Sequence, residues 1–173
     1  DFKPSWLKWA EDLQKRQDEL FWDFAHGGYF FSASGASDLF IRNKELHDGA
    51  TPSGSAVSAL NLLKLHALTW NQDYRDRAQK LFAVLSAPMG NYPAGFAMAL
   101  VALDYYLDEA KEVAVVTSND EAAKTLKKFL NESFLPNISV AMGAVGSDYP
   151  NLLKNRPLLG NKTTVYVCEQ QLC

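Results

Sequence analysis

The chain has 173 residues, 47% of them apolar and 12% aromatic, with a formal net charge of -3; that suits one domain, or one and a half, around a buried core. Nothing forms a basic stripe for nucleic acid, and Lys124, Lys127 and Lys128 read as the wet face of one helix. No apolar run approaches the ~20 residues of a bilayer span and no signal-peptide pattern opens the chain, so a soluble, cytoplasmic protein without membrane or nucleic-acid partners is expected.

Trp6, Leu7, Ala10, Leu13, Leu20 and Phe21 keep helical spacing and predict an amphipathic helix over 5–22. Gly27-Gly28 ends it or follows its end. Tyr29-Phe30-Phe31 and Leu39-Phe40-Ile41 predict two short extended arms around Ser34-Gly35-Ala36-Ser37. Ala56, Leu60, Leu63, Ala67 and Leu68 mark a helix over roughly 53–70. Asn71-Gln72-Asp73 then punctuates the chain before a partner helix carrying Tyr74, Ala78, Leu81 and Leu85, which makes an αα-hairpin. Beyond a break at Pro88-Met89-Gly90, residues 92–109 predict a helix apolar nearly all round and so packed on several sides.

The pattern then changes. Glu112 to Thr117, Ile138 to Met142 and Thr163 to Val167 are β-branched runs, and Asp120 to Phe134 is a helix opened by a Ser118 or Asn119 cap. Strand, helix and two further strands predict a small parallel α/β appendage. A Gly-, Pro- and Asn-rich connection over 143–162 has one helical turn expected at Tyr149 to Leu153.

The stretch His47-Asp48-Gly49-Ala50-Thr51-Pro52-Ser53-Gly54-Ser55 concentrates polar and flexible residues where a loop becomes a helix. On one reading Asp48 is a turn acceptor and Ser53 an N-cap. On the other, a carboxylate beside free helix N–H groups receives sugar hydroxyls. His47 or Asp48 would then serve as general base, with Glu45 as a further carboxylate; His26 is a second histidine in loop, whereas His66 falls in mid-helix. Tyr29 and Phe30 are candidate stacking walls, and Arg42 and Lys44 share one side of an extended arm. No phosphate loop, dinucleotide fingerprint, zincin helix or nucleophile elbow occurs. Cys168 and Cys173, the two cysteines, fall short of the four ligands of a structural zinc site. They read as incidental thiols or as a redox pair.

Leu20-Phe21-Trp22-Asp23, Gly27-Gly28-Tyr29-Phe30, Arg42-x-Lys44, Asp48-Gly49-Ala50-x-Pro52-Ser53-Gly54 and the terminal Cys168 and Cys173 occur in an order that resembles one family. It is the C-terminal part of the thioredoxin-domain proteins related to the spermatogenesis-associated thioredoxin-like protein. Where that family continues Pro-Ser-Gly with Asn-Ser, this chain has Ser55-Ala56, and Gln170 stands where an Asn is usual between the cysteines. The resemblance implies a thioredoxin-like domain elsewhere in a longer parent and an (α/α)6 toroid like those of six-hairpin glycosidases and sugar 2-epimerases.

The combined expectation is a mainly α fold. Residues 1–110 would be hairpins of a partial α/α toroid, and 111–173 a small α/β subdomain packed on them. A carbohydrate pocket would hold Asp48 and His47 as catalytic groups and Tyr29, Phe30, Arg42, Lys44 and Ser53 as contacts. No metal or other cofactor is expected. The alternative is a scaffold or redox-partner region that offers Cys168 and Cys173 to a thioredoxin-like domain. The isolated chain is expected to be inactive and to dimerise through exposed apolar surface.

Overall fold

The computed structural model describes residues 2–36, 39–108 and 110–173. Ser37 of the expected turn and Glu109 at the expected end of the fourth helix lie outside them. The chain divides into two compact units: Lys8–His66 with Asn71–Tyr106, here the helical unit, and Asp1–Leu7 with Ala67–Trp70 and Leu107–Cys173, the sheet unit.

Helix α1 spans Pro4–Phe21, with Pro4 in the position where a missing N–H costs nothing. Its burial is not the one that its apolar residues predict. Trp6 and Trp9 are each 56% exposed and Leu13 52%, while Gln14 and Asp18, one turn apart, are buried. Helix α2 spans Gly54–Thr69 and α3 spans Gln72–Asn91, so only two residues link them. Along α2, Ala56, Ala59, Leu62, Leu63 and Leu65 are all buried, as on a helix enclosed on most of its faces.

Asn71 caps α3 by accepting from the Asp73 N–H at 3.1 Å, and Tyr74, Ala78, Leu81 and Leu85 turn inward as their spacing predicts. The break expected at Pro88 does not occur. Pro88 sits inside the last turn, where it removes a single intrahelical bond, and Met89 beyond it is buried. A 3-10 turn at Pro93–Gly95 delays the next helix, α4, to Ala97–Leu107. Only Ala99, Ala102 and Tyr105 of α4 are buried, whereas Val101 and Leu107 are 49% and 69% exposed; one stripe is packed rather than several sides.

In the sheet unit, β1 (Lys111–Thr117), α5 (Asp120–Glu132) and β2 (Ile138–Ala144) form a parallel crossover with Val113 opposite Val140. Asn119 caps α5 through the N–H groups of Glu121 and Ala122. The third strand, β3 (Thr164–Glu169), corrects the parallel expectation: it runs antiparallel to β1 in the order β2-β1-β3, with Val113 opposite Val167. A β-branched run carries no direction of its own, and here the loop path sets it. Within that loop the expected turn appears as a 3-10 turn at Asn151–Leu153. Leu152 and Leu153 join Ala114, Val116, Ala141 and Cys168 in this unit's core.

Candidate functional site

The segment joining α1 to α2 is held by two sets of polar ties. In the first, Gln14 Nε2 donates to Asp18 Oδ1 and to the Tyr29 hydroxyl, each at 2.9 Å, and the Tyr29 hydroxyl donates to the same Oδ1 at 2.6 Å. Arg77 pairs with Asp18 Oδ2 at 2.9 Å, so the buried carboxylate is both neutralised and hydrogen-bonded. Burial, reinforced by the bond to Asp18, raises the Tyr29 phenol far above its usual range. The Tyr29 ring meets Trp22 edge-on at 4.9 Å.

The second set centres on Asp23, which is 8% exposed. It accepts from Lys44 Nζ at 2.8 Å and from the N–H groups of Ala25 and His26 at 2.9 and 3.1 Å. The Lys44 hydrogen bond outweighs the opposing effect of burial and holds this carboxyl well below the usual carboxylate range. Lys44 Nζ also donates to the Gly27 carbonyl at 2.5 Å. Two residues earlier, Arg42 donates to the carbonyls of Ser32 and Leu20, with Nη2 distances of 2.6 and 3.1 Å. Both cations lie against Phe30, 4.0 Å from its ring centre for Arg42 and 5.1 Å for Lys44. Arg42, Lys44, Leu46 and Asp48 alternate in burial with the exposed Asn43, Glu45 and His47, the period of extended chain. No strand forms at either expected arm; Tyr29 makes one isolated bridge to Trp22, and Phe31 N–H donates to the Asn43 carbonyl at 2.7 Å.

Asp48 joins two helix mouths. Its Oδ1 accepts from the Ser53 N–H at 2.8 Å, its Oδ2 accepts from the Met98 N–H in the opening turn of α4 at 2.7 Å, and its own N–H donates to the Gly95 carbonyl at 2.8 Å. Ser53 caps α2 by accepting from the Ala56 N–H at 3.2 Å. Both carboxylate oxygens are thus committed to backbone, which makes Asp48 a tie between α2 and α4.

A cavity of about 470 Å³ opens at the α2 mouth, within the helical unit. Phe21, Tyr29, Phe30 and Phe31 line it together with Gln17, Glu45, His47, Gly49 and Thr51 to Ser55. Of the expected residues, Tyr29, Phe30, His47 and Ser53 are therefore brought together, whereas Asp48, Arg42 and Lys44 stand outside the lining. His47 packs its ring on Phe96 at 4.6 Å, and Phe31 is 69% exposed. Gln17 escaped the sequence reading because one polar residue per helical turn looks like solvated surface, and Ser55 entered it only as the end of the polar stretch, not as a contact. Ser55, only 3% exposed, is in fact buried.

In the sheet unit Cys168 and Cys173 form a disulfide, with Cys168 buried and Cys173 exposed. The Gln171 N–H between them donates to Glu112 Oε2 at 3.1 Å. Among the described residues no group of three or more His, Cys, Asp or Glu is placed to hold a metal ion, and no helix is long and apolar enough to cross a membrane.

The chain is similar over nearly its whole length to spermatogenesis-associated protein 20. It is 37% identical to the Rattus norvegicus protein and 34% identical to the Homo sapiens protein, over 98% of this chain in both cases. An uncharacterized protein of Caenorhabditis elegans is 29% identical over 99% of the chain. The chain spans 22% of the length of the two mammalian relatives and 24% of the nematode one. No protein-family model matches it.

Proposed function

We propose that the cavity at the α2 mouth binds a carbohydrate, in a helical unit that is part of an α/α toroid of the six-hairpin type. The observation that carries this reading is a cavity of about 470 Å³ lined both by the rings of Phe21, Tyr29, Phe30 and Phe31 and by the polar residues of the helix mouth, a size and lining suited to a small polar ligand. Phe31 is too exposed to be core filling, and the C–H face of a sugar ring suits an aromatic surface. The toroid reading is supported by the two-residue link between α2 and α3 and by Asp48, which gathers the N-termini of α2 and α4 at one place. In an enzyme built on this pocket, His47 and Glu45 line the cavity with exposed side chains and would act as general base, while Asp48 would position the mouth. Amide hydrogen exchange across residues 47–55, with a panel of neutral sugars, tests the proposal. Protection there is expected, and unchanged exchange with every sugar would reject it.

The disulfide favours a second reading, a redox-partner region. A dithiol of thioredoxin type would attack the exposed Cys173 sulfur, form a mixed disulfide and release Cys168 as a thiolate; its second thiol would then resolve the mixed disulfide, leaving both cysteines reduced and the partner oxidised. Thiol titration before and after dithiol treatment checks this, and two unreactive free thiols at the outset would remove it. Phe24, Phe40 and Ile41, exposed by 80%, 105% and 75%, are read as surface for a second copy; a purely monomeric chain in sedimentation would dismiss that reading.

A further inference from the structure

The mouth of α2 has more donors than acceptors. This helix of 16 residues carries no acidic residue in its first turn. Asp48 takes the N–H of Ser53, and Ser53 Oγ takes that of Ala56. Among the described residues the N–H groups of Gly54 and Ser55, lying between those two, have no partner. Neither has the Ser55 hydroxyl, although Ser55 is only 3% exposed and lines the cavity. Three donors without a protein partner, on two consecutive residues of a helix N-terminus that line one cavity, suit an oxygen-rich acceptor.

We infer that the α2 mouth is an oxyanion subsite and that the sugar it takes is a sugar acid, whose carboxylate accepts from Gly54 N–H, Ser55 N–H and Ser55 Oγ–H. This rests on the carbohydrate reading of the cavity. A carboxylate fits better than a phosphate for an electrostatic reason. Glu45 lines the same cavity, and Asp48 lies one hydrogen bond away at the Ser53 N–H. A dianion would meet two like charges there, and Arg42 and Lys44, committed elsewhere, do not line the cavity to offset them. A monoanion meets half that repulsion, and its two oxygens match three donors.

The test is an amide-resolved NMR titration of the 173-residue chain and of Ser55→Ala with glucose, glucuronate, glucose 6-phosphate and glycolate. Glucuronate is expected to shift the Gly54 and Ser55 amides and to bind about tenfold more tightly than glucose, an advantage that Ser55→Ala reduces about fivefold. Equal affinity for glucose and glucuronate overturns the oxyanion subsite and leaves the sugar pocket standing. That comparison needs only the unmodified chain, so it holds even if Ser55→Ala fails to fold. Equal weakening of both sugars by Ser55→Ala also overturns it. Glycolate shifting these amides while no sugar does so overturns the sugar acid and the carbohydrate reading but keeps an anion site. Tighter binding of glucose 6-phosphate than of glucuronate overturns the carboxylate assignment, and silence with all four ligands overturns both readings.

Discussion

Removing the Asp48 carboxylate should loosen two helices at once. Asp48→Ala deletes the acceptors of the Ser53 and Met98 N–H groups, bonds of 2.8 and 2.7 Å. A hydrogen bond to a charged group contributes about 1.5–3 kcal/mol. Asp48 is half-buried, which lets water reach the orphaned N–H groups in part, so the low end applies to each bond. The sum is about 3 kcal/mol, and at about 2–4 °C per kcal/mol for a chain of this size the expected drop in Tm is about 6–12 °C. Asp48→Asn keeps one acceptor but turns its amide N–H2 toward the other donor, so it should recover less than half of the loss. Thermal unfolding by circular dichroism gives the magnitude, and hydrogen exchange at Ser53 and Met98 gives the location. A change within about 0.5 kcal/mol, the ordinary range for a surface substitution, would refute the assignment of Asp48 as a tie. So would faster exchange at Ser53 with Met98 unaffected, which would leave Asp48 a local turn acceptor.

Three further outcomes are expected. The Asp23 carboxyl, held down by Lys44, is ionised in the folded state at pH values where the unfolded chain already binds a proton; the stability from this pair is full above ~pH 4 and fades as pH falls through the lower folded pKa. A carboxyl carbon resonance that titrates near pH 4 in the native protein would contradict that. Gly27→Ala should cost about 1–2 kcal/mol, because Gly27 has φ +75° and a Cβ would stand 3.3 Å from Lys80 Cβ; urea midpoints measure it. Phe31→Ala, at a side chain 69% exposed, should leave the melting temperature within about 2 °C while weakening sugar binding, and unchanged sugar affinity would take Phe31 out of the wall.

What the sequence discloses about this fold is mostly local. Asn71 and Asn119 announce the starts of α3 and α5 because a capping side chain acts within three residues, and the inward face of α3 repeats at helical spacing. The burial of Gln14 and Asp18 in place of Trp9 and Leu13 is not local. It depends on Arg77 and Tyr29, which arrive from other segments, and no periodicity encodes such a partner. The cavity was half legible for the same reason. A polar cluster before a helix located its mouth, but the sequence could not show that Asp48 reaches across to Met98 or that Arg42 and Lys44 turn away from the lining.

The two cations at Phe30 bear on how the pocket would respond to temperature. Arg42 and Lys44 are anchored to backbone carbonyls and to Asp23, so the Phe30 ring has little rotamer freedom left to lose when a ligand arrives. Ordering a mobile side chain at an interface costs about 0.5–1.5 kcal/mol, and that entropic term is largely absent for this ring. A preformed wall of this kind makes association favourable in heat rather than in disorder, and the heat-capacity change on binding should track the apolar area covered, most of it on the exposed Phe31.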